Sequence, residues 1–331
     1  MDNMNKLKTN FCKVMEFNRA FDMVPQEPKE YTCYYEDYNF KIKYDILNNI
    51  RKDIFIKSPD IIKLRLALIK EELGELNDAI MQSDIIEQRD ACADILYVVY
   101  GMADVLGIAI NDYFNNKIKN NIEYYINNNL ANDFALKNKI VGNNFYNSSE
   151  NISNFTKIKI IANQILGFEI SSKTVSEMVD LIKSNLIKFY SELENASYIE
   201  TYNNETYNNE TVINKFELVA NNLYELLKWT YLMTYVIGYD ADSDFSIVHE
   251  SNMSKLCSTE ADAKATVEDY KIKYIAGTSP YDTPYYYHLP TLNKWIVKNL
   301  STGKALKNIK YKKVCFYHNK KNTIENKRFV F

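Results

Sequence analysis

Glycine and proline are scarce, 8 and 6 in 331 residues. An all-β sandwich or barrel turns too often for that, so a helical chain is expected. Long apolar runs are missing as well. No stretch approaches the roughly 20 residues of a membrane helix, and the opening "MDNMNKLKTNFCKVMEF" has no signal-peptide apolar core. The expectation is a soluble, cytoplasmic protein with no membrane partner. Five cysteines, Cys12, Cys33, Cys92, Cys257 and Cys315, are odd in number and lack CxxC spacing, which argues against a zinc ribbon or a disulfide framework. They read as reduced thiols.

Histidine is nearly absent, with only His249, His288 and His318. A long basic block is absent too: 40 basic residues stand against 43 acidic ones, for a net charge of −3. A nucleic-acid duplex is therefore not an expected partner, whereas a free nucleotide remains compatible. What is present is 46% hydrophobic residues and a length sufficient for two ordinary domains or one large one.

Helical punctuation is clear in the first half. "NFCKVMEFNRAF" places Phe11, Val14, Phe17 and Phe21 at helical spacing, with Pro25 and Pro28 beyond. Residues 29–57 are tyrosine-rich and ambiguous. Ser58 followed by Pro59 predicts a helix start, and the helix runs to about Gln82. Ser83 and Asp84 open a second helix that stops near Gly107, and so short a joint forces antiparallel packing. "TYNNETYNNET", Thr201 to Thr211, reads as a surface loop, and alternation around Ser301-Thr302-Gly303 predicts a β-hairpin near Trp295 to Ile309.

Two acidic stripes interrupt faces that should be apolar. In "LIKEELGELNDAI", Leu68, Glu72, Glu75 and Ala79 lie along one helix face with Glu71 at its edge; in the next helix Glu87, Asp90, Asp94 and Tyr97 form another. Packed together, these carboxylates would repel, and protonation or divalent cations are the ordinary remedies. All-oxygen ligands suit Mg²⁺ or Mn²⁺. A di-iron bundle needs Glu-x-x-His pairs, and no histidine lies on these helices. For any single acid, a solvated face beside Lys70 or Arg89 is the ordinary reading; the coincidence of two stripes favours the cations.

"LIKEELGELNDAI", "DACADILYVVYG" and, further on, "DFSIVHESNMSKL" resemble the all-α nucleoside triphosphate pyrophosphohydrolases, the superfamily of MazG-like proteins, dimeric dUTPases and phosphoribosyl-ATP pyrophosphohydrolases, in particular its phage and viral MazG-like branch. The likeness extends to "KWIVKNLSTGKALKNIKY" but not to residues 29–57 or the linker. It implies Mg²⁺ held by Glu72, Glu75 and Asp94, with Glu71 beside them. The family's Glu-x-x-Asp is broken by Ala91, so Asp90, or Glu87 through water, becomes the substitute. The resemblance further implies that Asn252 and Lys255 of "SNMSK" meet the phosphates, that Glu71, Glu72 and Glu75 are the catalytic acids, and that Tyr97 and Tyr100 lie near the base. The implied reaction is cleavage between the α and β phosphates, in the cytoplasm of a host if the protein is viral. "STGK" lacks the G-x-x-x-x-G-K-[ST] pattern, and Lys304 reads as a solvated turn residue.

The pattern then repeats. "NFTKIKIIANQIL" echoes "NFCKVMEFNRAF", "LIKSNLIKFYSEL" echoes "LIKEELGELNDAI", and "LVANNLYELLKWTYLMTYVIGYD" echoes "RDACADILYVVYGMADVLGIA". Ser184, Asn185 and Lys188 stand where Glu71, Glu72 and Glu75 stand in the first copy. Matching Gly238 to Gly107 sets Glu225 against Asp94, Asn221 against Asp90 and Tyr124 against Lys255. Each half keeps what the other lacks. The expected fold is mainly α: a first unit at residues 1–122, a linker at 123–153, a degenerate second unit at 154–275 and a β-hairpin extension at 276–331. The units are expected to form a pseudo-dimer that can pair again as a homodimer, with one composite site for a nucleoside triphosphate. A phosphoribosyl-ATP enzyme and a non-catalytic nucleotide-binding or assembly protein are the alternatives.

Overall fold

A computed structural model of the chain describes residues 9–21, 23, 24, 54, 58–127, 153–158, 175–202, 209–290 and 292–316. Pro25, Pro28, Cys33, His318, most of the ambiguous 29–57 stretch, the linker beyond residue 127 and "NFTKIKIIANQIL" past residue 158 lie outside the described residues.

Helix α1, Asn10–Ala20, starts where the Thr9 hydroxyl accepts the Cys12 N–H at 3.2 Å. Helix α2, Pro59–Met81, begins on the proline, although the Ser58 side chain makes no capping bond. Helix α3, Ile85–Leu106, is capped by Asp84, whose carboxylate accepts the N–H groups of Ile86 and Glu87, and it ends on left-handed Gly107 at φ 73°. Helix α4, Ile110–Asn127, runs into the segment expected to be a linker.

Helices α5, Val175–Tyr202, and α6, Asn209–Ile237, form the second long pair. They take up both ends of the expected "TYNNETYNNET" loop, whose middle, 203–208, lies outside the described residues. Gly238, at φ 91°, ends α6 as Gly107 ends α3. Helix α7, Ala241–Met253, is capped by Asp240, and α8, Glu260–Ile275, by Thr259.

The C-terminal hairpin forms one strand earlier than expected. Strand β1, Pro284–Leu289, pairs antiparallel with β2, Lys294–Asn299, in the register Tyr286 to Val297. "PYYYHL" is rich in the aromatic residues that suit a pleated, half-buried surface. The Ser301-Thr302-Gly303 turn leads only to a single bridge, Lys298 to Ala305. There the chain leaves the sheet, because the Asn308 amide donates to the Ser254 and Leu256 carbonyls instead.

Helix α3 is the axis of the molecule. From Ala91 to Leu106 every residue but Asp94 is buried, and α1, α2, α6 and α7 pack around it. This explains why "ACADILYVVYGMADVL" is apolar almost all round. Burying a side chain such as Ile95 or Leu96 contributes about 1.5–3 kcal/mol. Within this core sits a buried guanidinium. Arg65 of α2 lies against Gly101, where a Cβ would stand 2.5 Å from its Nη1, and donates to the Asn18 amide oxygen. Asn18 in turn donates to Asp104 at 2.8 Å. No single described helix is long and apolar enough to cross a membrane.

A set of paired contacts joins the two helical halves. Asn10 donates to Tyr231 and Asp242, while Asn154 donates to Tyr100 and Asn111. Lys13 reaches Ser246 at 2.8 Å, and Lys157 reaches Asn115 at 2.6 Å. Phe245 meets Tyr100 edge-on at 6.1 Å, and Phe114 meets Tyr231 edge-on at 6.1 Å. In the registers Asn10 to Asn154 and Gly107 to Gly238, each contact is the exchange of its partner. This is the pattern of a two-fold, isologous interface.

Candidate active site

The acids arrive from two helices for a local reason. The short joint at Gln82 to Asp84, with Ser83 at φ 55°, reverses the chain so that α2 and α3 pack side by side. Glu72 and Asp94, both half-buried, face each other's charge across that packing. Glu71 and Glu75 are exposed at the rim.

The energetics of this cluster are adverse. Burial, then Asp94, Glu75, Glu71 and Asp90, push the Glu72 carboxyl up to about 9. Asp94 is pushed up to about 7, by burial and by Asp90, against the pull of Lys255. Asp90 rises to about 6 through burial and its neighbours Glu87 and Glu75, and Glu75 rises through burial, Glu71 and Glu87. One Asp90 oxygen, Oδ1, is buried without a hydrogen-bond partner. Buried oxygens left in this state call for a proton or a cation.

The cation that the protein supplies comes from the far half. Helix α7 ends at Met253, and the following corner carries Lys255 to the acids; Asp94 and Glu72 both act on its ammonium. Lys255 donates to the Asn252 side-chain oxygen at 2.7 Å and lies 5.7 Å from the Phe17 ring centre. Its pKa is drawn down to about 8, first by burial and then by Lys307 and Lys304. The structure thus brings Glu71, Glu72, Glu75, Asp90, Asp94, Asn252 and Lys255 into one neighbourhood.

The two tyrosines depart from expectation. Tyr100 is fully buried, bonded to Tyr231 at 2.9 Å, and belongs to the interface between the halves. Tyr97 is 5% exposed, with its ring among Phe17, Phe245 and His249, so it offers no open face to a base. Its hydroxyl meets His249 Nδ1 at 3.1 Å, and His249 Nε2 lies 3.8 Å from Glu16. This Tyr97–His249–Glu16 chain joins α1, α3 and α7 and has no contiguous motif in the sequence. Arg89 is also more than a solvated neighbour. It holds buried Asp244 through two bonds of 2.6 and 2.9 Å, between the rings of Tyr239 and Phe316.

Among the described residues, no three acids, histidines or cysteines converge tightly enough to hold a metal ion as they stand. The donor set nevertheless suits a hard divalent cation: all-oxygen, mutually repelling, and with Asp90 Oδ1 unsatisfied. The chain can therefore set a lysine and an amide beside a bed of carboxylates. That arrangement can bind a metal-complexed polyphosphate and hold a proton acceptor near it.

Comparisons with known proteins converge on the same region. Residues 52–121, which carry α2 and α3, match the family model described as phosphoribosyl-ATP pyrophosphohydrolase. Over 305 residues the chain is 32% identical to an uncharacterized protein of Acanthamoeba polyphaga mimivirus, covering 92% of each. No solved structure matches.

Proposed function

Because the chain belongs to one family with the mimivirus protein, within the all-α nucleoside triphosphate pyrophosphohydrolase superfamily, we propose that it is a Mg²⁺-dependent enzyme that converts a (d)NTP and water into a (d)NMP and pyrophosphate. One composite site does the work. The observation that carries this reading is that Lys255, from the second helical half, stands within electrostatic reach of Glu72 and Asp94 of the first. Neither half has both. The exchanged contacts of Asn10 and Asn154 support the view that the halves pack as an internal pseudo-dimer.

In this reading Glu72, Glu75, Asp94 and Asp90 hold Mg²⁺, with Mn²⁺ as the substitute, and Asp90 stands in for the acid missing at Ala91. When bound, the metal neutralises phosphate charge and lowers the pKa of water. Lys255 places its ammonium on a phosphate oxygen while Asn252 fixes the orientation of that ammonium through their 2.7 Å bond. Glu71 or Glu75, at the exposed rim, accepts the proton of the attacking water. The Phe17 ring lies beside the Lys255 ammonium and packs edge-on against buried Tyr97.

The test is a pyrophosphate-release screen over all common dNTPs and NTPs, together with phosphoribosyl-ATP, because the family model carries that enzyme's description. Release from at least one nucleotide in Mg²⁺ is expected. A Glu72→Gln, Glu75→Gln double variant as active as the wild type would overturn the metal assignment. Nucleotide binding without release across the whole panel would favour a non-catalytic binding protein.

A further inference from the structure

Lys304 and Lys307 lie on the segment that leaves the sheet after β2, and that segment does not trail into solvent. It folds back onto the corner that carries Asn252 and Lys255. Leu306 N–H donates to the Val297 carbonyl at 2.8 Å, and Asn308 then binds the Ser254 and Leu256 carbonyls. Lys312 N–H donates to the Ser254 hydroxyl at 2.9 Å, while Ser251 bonds both the Lys312 carbonyl and the Tyr311 hydroxyl. Further on, Phe316 packs over Arg89, the residue before Asp90. Residues 304–316 thus form a strap from the lysine corner to the start of the acidic helix.

The charges along the strap are not equivalent. Lys310 is paired with Asp262 at 2.7 Å. Lys304 and Lys307 are exposed and have no acidic partner among the described residues; their ammonium groups lie over the rings of Tyr281 and Tyr311. Both act on the Lys255 ammonium. Asp94 and Glu72 offset part of the charge on Lys255, but among the described residues no acid pairs with Lys304 or Lys307, so both still repel Lys255 and an arriving polyanion relieves that repulsion.

We propose that the strap is part of the substrate-binding site, and that Lys304 and Lys307 join Lys255 in a three-lysine cradle for the β and γ phosphates of a nucleoside triphosphate. The proposal deepens the pyrophosphohydrolase reading and rests on it. It reverses the simple view of Lys304 as a solvated turn residue. It also gives "GKALK" a function that does not depend on a phosphate-binding loop.

The experiment is calorimetric titration of the full chain with inorganic tripolyphosphate in Mg²⁺, paired with pyrophosphate-release kinetics on whichever dNTP the wild type turns over. Lys304→Gln, Lys307→Gln is expected to weaken tripolyphosphate binding by about tenfold or more and to raise KM by a similar factor. Lys310→Gln, on the same strap but already paired, is expected to leave both unchanged. Both cradle lysines are exposed, so unchanged thermal melting will separate loss of contact from loss of fold. A double variant that binds tripolyphosphate as the wild type does, or a Lys310→Gln variant that loses as much, overturns the cradle and leaves the enzyme reading standing. A wild type that neither binds tripolyphosphate nor releases pyrophosphate from any nucleotide overturns both.

Discussion

Glu72→Gln should make the metal-free protein more stable while it removes activity. The Glu72 carboxyl has an ordinary value of 4.5 and is held at about 9 in the fold, by burial first and then by Asp94, Glu75, Glu71 and Asp90. An acid whose pKa is raised by folding favours the native state most below its unfolded value. That contribution is lost as pH rises from about 4.5 through about 9. At pH 8 most of the loss has occurred. Every tenfold change in a protonation constant is worth about 1.4 kcal/mol, and sharing the proton among several acids leaves on the order of 2 kcal/mol for Glu72 alone.

A glutamine of the same shape carries no charge and escapes this cost. For 331 residues, an unfolding entropy of about 2.1 cal/mol/K per residue converts 2 kcal/mol to about 3 °C. Thermal melts in a chelator at pH 8 should therefore show Glu72→Gln melting about 3 °C above the wild type, with the gap closing at pH 5. Adding Mg²⁺ should raise the wild type and leave the variant nearly unmoved. A variant less stable than the wild type at pH 8 in chelator would refute the repulsive-cluster argument. Equal stabilisation of both by Mg²⁺ would refute Glu72 as a ligand.

Three other outcomes follow from the same geometry. The Lys255 ammonium, lowered to about 8 chiefly by burial, is charged below that pH, so tripolyphosphate affinity should fall as pH rises through about 8; Lys255→Arg, which stays charged, should move the fall upward, and an unmoved profile refutes the assignment. Gly101→Ala should cost about 2 kcal/mol in urea denaturation, because its Cβ displaces a buried guanidinium from Asn18; a midpoint equal to the wild type would show that Arg65 yields freely. Asn10→Ala should cost about 2 kcal/mol and Asn154→Ala about 1, since the first abandons a carboxylate, Asp242, and the second two neutral partners; the reverse order in the same assay contradicts the bond assignment.

The legible parts of this molecule were those set by local chemistry. Pro59, Asp84 and Gly107 act on the backbone within a few residues of themselves, and the helices they delimit lie where that chemistry puts them. The acids on α2 and α3 were visible because period and chain reversal together decide which face meets which. Tyr97 was not legible in this way. A helical spacing does not say whether its ring points at a ligand or at Phe245, which arrives from α7. The partner of β2 was missed because alternation marks a strand without choosing its neighbour, and Tyr285 to His288 competed with the stretch after Gly303. Lys304 and Lys307 needed the tertiary path of the strap, which depends on Asn308 finding two carbonyls more than fifty residues upstream.

The proposed division of labour between the halves agrees with where charge is paired. Arg89 of the first half and Asp244 of the second neutralise each other beside the acidic stripe; at the two-fold equivalent positions stand Ala220 and Tyr113, which cannot form an ion pair. Glu225, which stands against Asp94, is tied up by Lys228 at 2.6 Å and by the Trp229 N–H at 3.0 Å. Both contacts fall on one oxygen, Oε2, and hold the carboxylate against its own helix, so the acid kept by the second half is turned to a local ion pair, while Ser184, Asn185 and Lys188 stand where Glu71, Glu72 and Glu75 stand in the first half. The exchanged contacts at Asn10 and Asn154 remain in both copies, because both halves need them to stay packed together. In the proposed reading a two-fold interface surrounds a single asymmetric site, with its acids on one side and its lysines on the other.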